Sequence, residues 1–167
     1  MTKNKVLIGD QALASKTFNK GYFGSFKDGK LELSLYEALY LKEKKELKVT
    51  DLRGKSLTTR SFIKTAEKAE RGFWIKYCVF RDMREAGYIL KTAFKYGGDF
   101  RVYEKGNKPG DEHAAWIVYA LGEHDVLDMS AFSSINRIAH SVKKKVIIAA
   151  VDDEDSVTYY ETRWSKI

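Results

Sequence analysis

Tyr103 and His113 stand ten positions apart, at the two ends of the polar stretch Glu104 to Glu112 (EKGNKPGDE). Asp99 to Tyr103 before it and Ala114 to Leu121 after it read as strands, so the stretch is a connecting loop that brings both side chains to one edge of a sheet. Histidine titrates near neutrality, a phenol can give or take a proton, and a nearby cation holds an anionic transition state. Those are the parts of a metal-free RNA cleavage. Cations stand further along the chain, where Arg137 and Lys144 are seven residues apart, close to two helical turns, with Ser141 between them. Phe132, Ile135, Ala139 and Val142 mark the buried stripe of a helix beginning at Ser130, so the face carrying Arg137 and Lys144 is polar and basic and meets either phosphate or solvent. His124, in an acidic loop, and His140, near the helix end, read as surface or packing residues. Cys78, inside the apolar run YCVF, reads as an inert small hydrophobe.

The elements that must position these groups follow from pattern. Lys5 to Gly9 and Lys20 to Phe26 read as short strands broken by glycines, with a turn at Lys27 to Lys30. Ser34 with Glu37 three residues on is a capping-box signature, opening a helix to about Lys45. Thr58 or Thr59 caps a second helix to about Glu70, and Gly72 separates it from a third over Phe73 to Ala86, ended by Gly87. Tyr88 to Thr92 is a strand and Gly97-Gly98 a turn. An acidic loop over Gly122 to Asp128 leads into the helix at Ser130, and Lys143 to Lys145 complement its C-terminal dipole. Val146 to Val151 and Val157 to Arg163, joined by the polar turn Asp152 to Ser156, close a hairpin.

Composition narrows the classes. The 167 residues are 44% apolar and 32% charged with one proline, which excludes a disordered or collagenous chain. No apolar run reaches the ~18 residues of a membrane span, and the first residues lack the apolar core of a signal peptide, so no membrane partner and a cytoplasmic location are expected. A single cysteine excludes a disulfide framework and a multi-cysteine zinc site. The net charge is +7, and it is uneven: residues 1–70 carry 15 basic and 9 acidic groups, residues 71–167 carry 15 and 14. That excess suits a polyanionic partner or a lysine-rich solvated surface.

Three segments carry a resemblance: YCVFRDMREAGYILKTAFKYGGDFRVYEKG, EHAAWIVYAL and RIAHSVKKKVIIAAVDDEDSVTYYE. In order and spacing they resemble the catalytic domain of archaeal tRNA-splicing (tRNA-intron) endonucleases, and LELSLYEALYL is similar to that family's N-terminal domain. The expected fold is α+β: a small N-terminal mixed α/β domain, residues 1–70, followed by a C-terminal catalytic domain, residues 71–167, with a mixed β-sheet flanked by helices. The resemblance implies that Tyr103 takes a proton from a ribose 2′-OH, that His113 protonates the leaving 5′-oxygen, and that Lys144 stabilises the charged phosphorane. It implies a bulge–helix–bulge precursor tRNA as substrate, 2′,3′-cyclic phosphate and 5′-OH ends, and neither cofactor nor metal. The reference pKa of a phenol is ~10, so a phenolic base needs neighbouring cations. Arg137 matches a family arginine that stacks on a bulged base, and Arg163 is the candidate for its companion, with Trp164 as another stacking group. One Tyr–His–Lys set per chain and two cuts per substrate require more than one copy. The family implies a tetramer, either a homotetramer or one that includes a different structural chain, with Glu123, Asp125 and Asp128 docking into a neighbour. An apolar dimer edge is expected over Val157 to Tyr160.

The sequence departs from the family pattern at Ala114, where a small hydroxyl residue is frequent, and at Gly97-Gly98, where Gly-Ala is commoner. Two rivals stand beside the leading reading. One is a noncatalytic structural or RNA-binding subunit of the same assembly, which the complete triad opposes. The other is a metal-dependent DNA nuclease using Asp99, Glu104 and Lys105, which lack a recognised arrangement.

Overall fold

A computed structural model describes residues 4–93, 97–110 and 113–165. The chain divides into two compact units, residues 1–74 and 75–167, and the fold is α+β.

In the first unit the central strand is set by alternation. Leu31 and Leu33 are fully buried while Lys30, Glu32 and Ser34 turn outward, so β3 (Lys30–Ser34) takes a partner on each edge. β1 (Lys5–Ile8) and β2 (Ser25–Lys27) pair with it antiparallel. Between β1 and β2 the chain forms α1 (Gln11–Gly21), capped by the Asp10 carboxylate on the Leu13 amide at 2.7 Å. This corrects the strand expected from Lys20, which falls at the helix end. The buried face of α1 is marked by Ala14 and Thr17, small residues that give the 3.6-residue period little contrast. Gly24 ends the following turn at φ 75°, where a Cβ would lie 2.6 Å from the Glu32 carbonyl oxygen. α2 (Leu35–Glu43) begins with the expected capping box: the Ser34 hydroxyl accepts from the Glu37 amide at 3.2 Å, and the Glu37 carboxylate accepts from the Ser34 amide at 2.9 Å. Glu37 is buried and also receives the Gly24 amide at 2.8 Å, so one carboxylate ties the helix start to the β2 approach. α3 (Thr59–Ala69) is capped by Thr58, and its Phe62 and Ala66 are buried.

The second unit is a five-stranded sheet in the order β4 (Ile89–Thr92), β5 (Phe100–Tyr103), β6 (Trp116–Gly122), β7 (Lys145–Val151), β8 (Val157–Thr162). All neighbours are antiparallel except β6 and β7. A parallel pair needs a crossover, and α5 (Met129–Ser141) supplies it. α5 starts at Met129, because the Asp128 side chain accepts from the Ala131 amide at 2.8 Å and so forms the N-cap just ahead of the expected Ser130. Its Ala139 packs with Ile117, Tyr119 and Val146, flanked by Ile135, Val142 and Ile148. The opposite face meets α4 (Phe73–Glu85): the rings of Phe80 and Phe100 are 5.8 Å apart, and Asp82, Met83 and Ala86 face Val102, Trp116, Ile147 and Tyr159. The β7–β8 hairpin forms as expected, with Asp152 accepting the Glu154 and Ser156 amides. Among the described residues no helix is long and apolar enough to cross a membrane.

Candidate active site

Tyr103 is the last residue of β5, and Val102 pairs with Trp116 across β6. Just beyond that pair the register shifts: the Ala115 amide also donates to the Val102 carbonyl, at 2.9 Å, so Ala115 and Trp116 both face Val102, and the Lys145 amide donates to the Ala115 carbonyl at 3.0 Å. Tyr103, at the end of β5, and Lys144, just before β7, therefore flank the start of β6 at one end of the sheet. Faces follow from the period of two. Trp116, Val102 and Lys145 belong to the α4 side, so Tyr103 and Lys144 belong to the α5 side together with Ile117.

Lys144 reaches this place through the end of α5. The Lys144 amide donates to the Ala139 carbonyl at 2.9 Å and the Lys143 amide to the His140 carbonyl at 3.0 Å, while Lys143 takes the left-handed conformation at φ 54°. That is a Schellman ending. Lys144 thus lies past the helix, just before β7, and does not share a helical face with Arg137 as the seven-residue spacing suggests. Its ammonium donates to the Ala114 carbonyl at 2.6 Å, one residue from His113. The chain from His113 to Ala115 therefore ties the three side chains to one end of the sheet. Residues 111 and 112 of the expected loop lie outside the described residues.

The side chains differ in setting. Tyr103 is 4% exposed, His113 is exposed and Lys144 is half-buried. Burial, and then the positive charge of Arg101, hold the Lys144 ammonium below the usual lysine range. Arg101 lies two residues before Tyr103 and pairs with Ile117, so it shares the α5 side. Alternation in Phe-Arg-Val-Tyr is the sequence signal that places it on the face of the tyrosine. The cluster of tyrosine, histidine and cations can exchange protons with a hydroxyl and hold an anion.

The remaining candidates are placed as follows. Arg163 contacts Glu161 at 3.3 Å and lines a cleft of about 310 Å³ with Lys144, Lys145, His140 and Trp164, whose ring lies 4.7 Å from that of His140. Trp164 is 53% exposed. Arg137 is exposed, 3.4 Å from the Ser134 hydroxyl, and is not part of that cleft. In the acidic loop, Asp128 is the cap of α5, Asp125 accepts the Gly122 amide at 2.7 Å and Glu123 accepts the Asp153 amide at 3.0 Å. Asp99 accepts the Ala120 amide at 2.9 Å and meets Lys76 at 3.0 Å, so both its oxygens hold the fold together. The Lys105 ammonium sits over the Tyr88 ring, 4.9 Å from its centre. Those engagements disfavour Asp99 and Lys105 as a metal-nuclease pair. Tyr159 is not a rival base: burial and its hydrogen bond to Asp82 raise its pKa far above the ordinary phenol value.

The chain matches the family model described as tRNA intron endonuclease, catalytic C-terminal domain, over residues 73–159, and that of the N-terminal domain over residues 1–63. It is 41% identical over 159 residues to the tRNA-splicing endonuclease of Methanothermobacter thermautotrophicus, covering 95% of this chain and 92% of that one. Identity to the tRNA-splicing endonuclease of Thermococcus onnurineus is 38% over 166 residues, covering 96% and 95%. The tRNA-splicing endonuclease of Methanosarcina mazei is 38% identical over 160 residues, which are 96% of this chain and 44% of that relative. The chain belongs to the tRNA intron endonuclease family.

Proposed function

We propose that the protein cuts precursor tRNA at the intron boundaries of a bulge–helix–bulge and leaves 2′,3′-cyclic phosphate and 5′-OH ends. The observation that carries this reading is the convergence of Tyr103, His113 and Lys144 at one end of the sheet, with the lysine ammonium bound to the carbonyl beside His113. Tyr103 accepts the proton of the ribose 2′-OH as that oxygen attacks phosphorus. His113, protonated, gives its proton to the departing 5′-oxygen. Lys144 stabilises the extra negative charge of the phosphorane. Every proton and bond in this sequence comes from the substrate and these three side chains, so no metal is required. DNA, which lacks the attacking hydroxyl, is not cut.

The excess of basic groups in residues 1–70 gives the RNA backbone a sequence-independent attraction. Arg137 and Arg163 bind the bulged bases through their guanidinium planes. Two cuts require two sites, and four chains docked through Glu123, Asp125 and Asp128 provide them, either as copies of this chain or with a different structural subunit. A relative of which this chain covers 44% has length enough for a second set of the same units.

Single-turnover cleavage by Tyr103→Phe, His113→Ala and Lys144→Ala tests the assignment. Each variant is expected to lose roughly 10²–10⁴ in rate while keeping its affinity for the RNA. Wild-type rates in all three would remove the triad.

A further inference from the structure

Arg101 is half-buried on β5, and its Nε is buried without a hydrogen-bond partner among the described residues. A guanidinium has five donors and no acceptor, and a buried N–H of it left without a partner in the folded chain suits an acceptor from outside. Asp99, two residues before it, is turned to Lys76 and the Ala120 amide. Across the strands Arg101 stands directly opposite Lys91 on β4 and Ile117 on β6. Two residues on is Tyr103, on the same face, and two strands over is Lys144, whose proton affinity burial and then the Arg101 charge reduce. Like charges set side by side in a sheet repel unless an anion comes between them.

We propose that Arg101 is a phosphate-binding residue of the cleavage site, its guanidinium gripping a non-bridging oxygen of the scissile phosphodiester beside Lys144. The inference rests on the reading of Tyr103, His113 and Lys144 as the site of RNA cleavage. As the phosphorus–O2′ bond forms and the phosphorus–O5′ bond breaks, negative charge grows on the non-bridging oxygens. Arg101 takes no proton in this step. It supplies a planar fork that matches two phosphate oxygens, which the point charge of a lysine cannot. Two cations rather than one then face the phosphorane, and the arriving phosphate relieves their mutual repulsion.

The test uses Arg101→Lys and Arg101→Gln, with single-turnover cleavage of a bulge–helix–bulge RNA and the Kd of the same RNA carrying 2′-deoxyribose at its cleavage positions. Arg101→Gln is expected to lose about 100-fold in rate and Arg101→Lys to recover roughly tenfold of that, with Kd changed far less in both and equal melting temperatures. Three results would overturn the proposal: a wild-type rate in Arg101→Gln, a loss that the lysine does not recover and that follows the melting temperature, or a fall in sedimentation mass. His113→Ala in the same assay separates the two levels. If that variant cleaves normally, the cleavage site itself is misassigned; if it is dead while Arg101→Gln is normal, the error is confined to Arg101.

Discussion

Replacing Lys144 by methionine keeps a long side chain at the same end of the sheet as Tyr103 and removes a charge that burial and Arg101 both disfavour. A lysine whose pKa is lower in the folded chain than in the unfolded one costs stability wherever it is protonated in both. That cost is full below the folded pKa and is relieved as pH rises toward the ordinary lysine value of ~10.4. Lys144→Met is therefore expected to melt no lower than wild type at neutral pH, with the difference closing in alkaline buffer, while cleavage is lost. Thermal melting across pH checks this, and a melting temperature several degrees lower at pH 7 would contradict it. At this scale the sequence was informative about type and silent about setting. Tyr103 and His113 were marked by the loop between two strands, whereas the seven-residue interval from Arg137 misplaced Lys144. Helical spacing was carried past the residue where the helix stops, because no glycine marks the left-handed turn.

That turn is an element with its own energetics. Lys143 occupies φ 54°, where a β-carbon is disfavoured and glycine is not. Lys143→Gly is expected to raise the melting temperature, by an amount corresponding to at most about 1 kcal/mol, and to leave cleavage intact because Lys143 is exposed and outside the proposed triad. A lower melting temperature, or lost cleavage, would show that its side chain has a further role. The neighbouring departure from the family pattern has a local cause: a β-carbon at Gly98 would lie 2.3 Å from Ile117 Cγ2, so alanine does not fit beside this isoleucine. Capping chemistry made α2 and α3 legible, and long apolar runs made β6 and β7 legible. α1 was hidden because its buried face is built from alanine and threonine. β3 was hidden because its five residues run straight from a turn into the Ser34 cap.

For the whole molecule, the acidic loop serves the fold and, in the proposed assembly, also docks a neighbour. Asp128 caps α5 whether or not it also docks a neighbour, so its alanine variant mixes two effects. Asparagine caps as well as aspartate and carries no charge. Asp128→Ala is expected to cost about 1 kcal/mol of stability, and Asp128→Asn to keep it. If the charge also holds the assembly, Asp128→Asn lowers the sedimentation mass at an unchanged melting temperature. An unchanged mass would leave Asp128 with capping alone. The assembly was not legible from the chain by itself, since the same carboxylates that resemble a docking loop also satisfy backbone amides within it.

Cleavage of a bulge–helix–bulge precursor tRNA by the purified chain in EDTA, with analysis of the fragment ends, tests the central claim most directly. Two cuts leaving 2′,3′-cyclic phosphate and 5′-OH ends are expected, because in the proposed reaction the attacking oxygen is the ribose 2′-O, its proton passes to Tyr103, and the leaving oxygen takes its proton from His113. Cleavage that appears only when a divalent metal is restored, or that leaves 5′-phosphate ends, would contradict it.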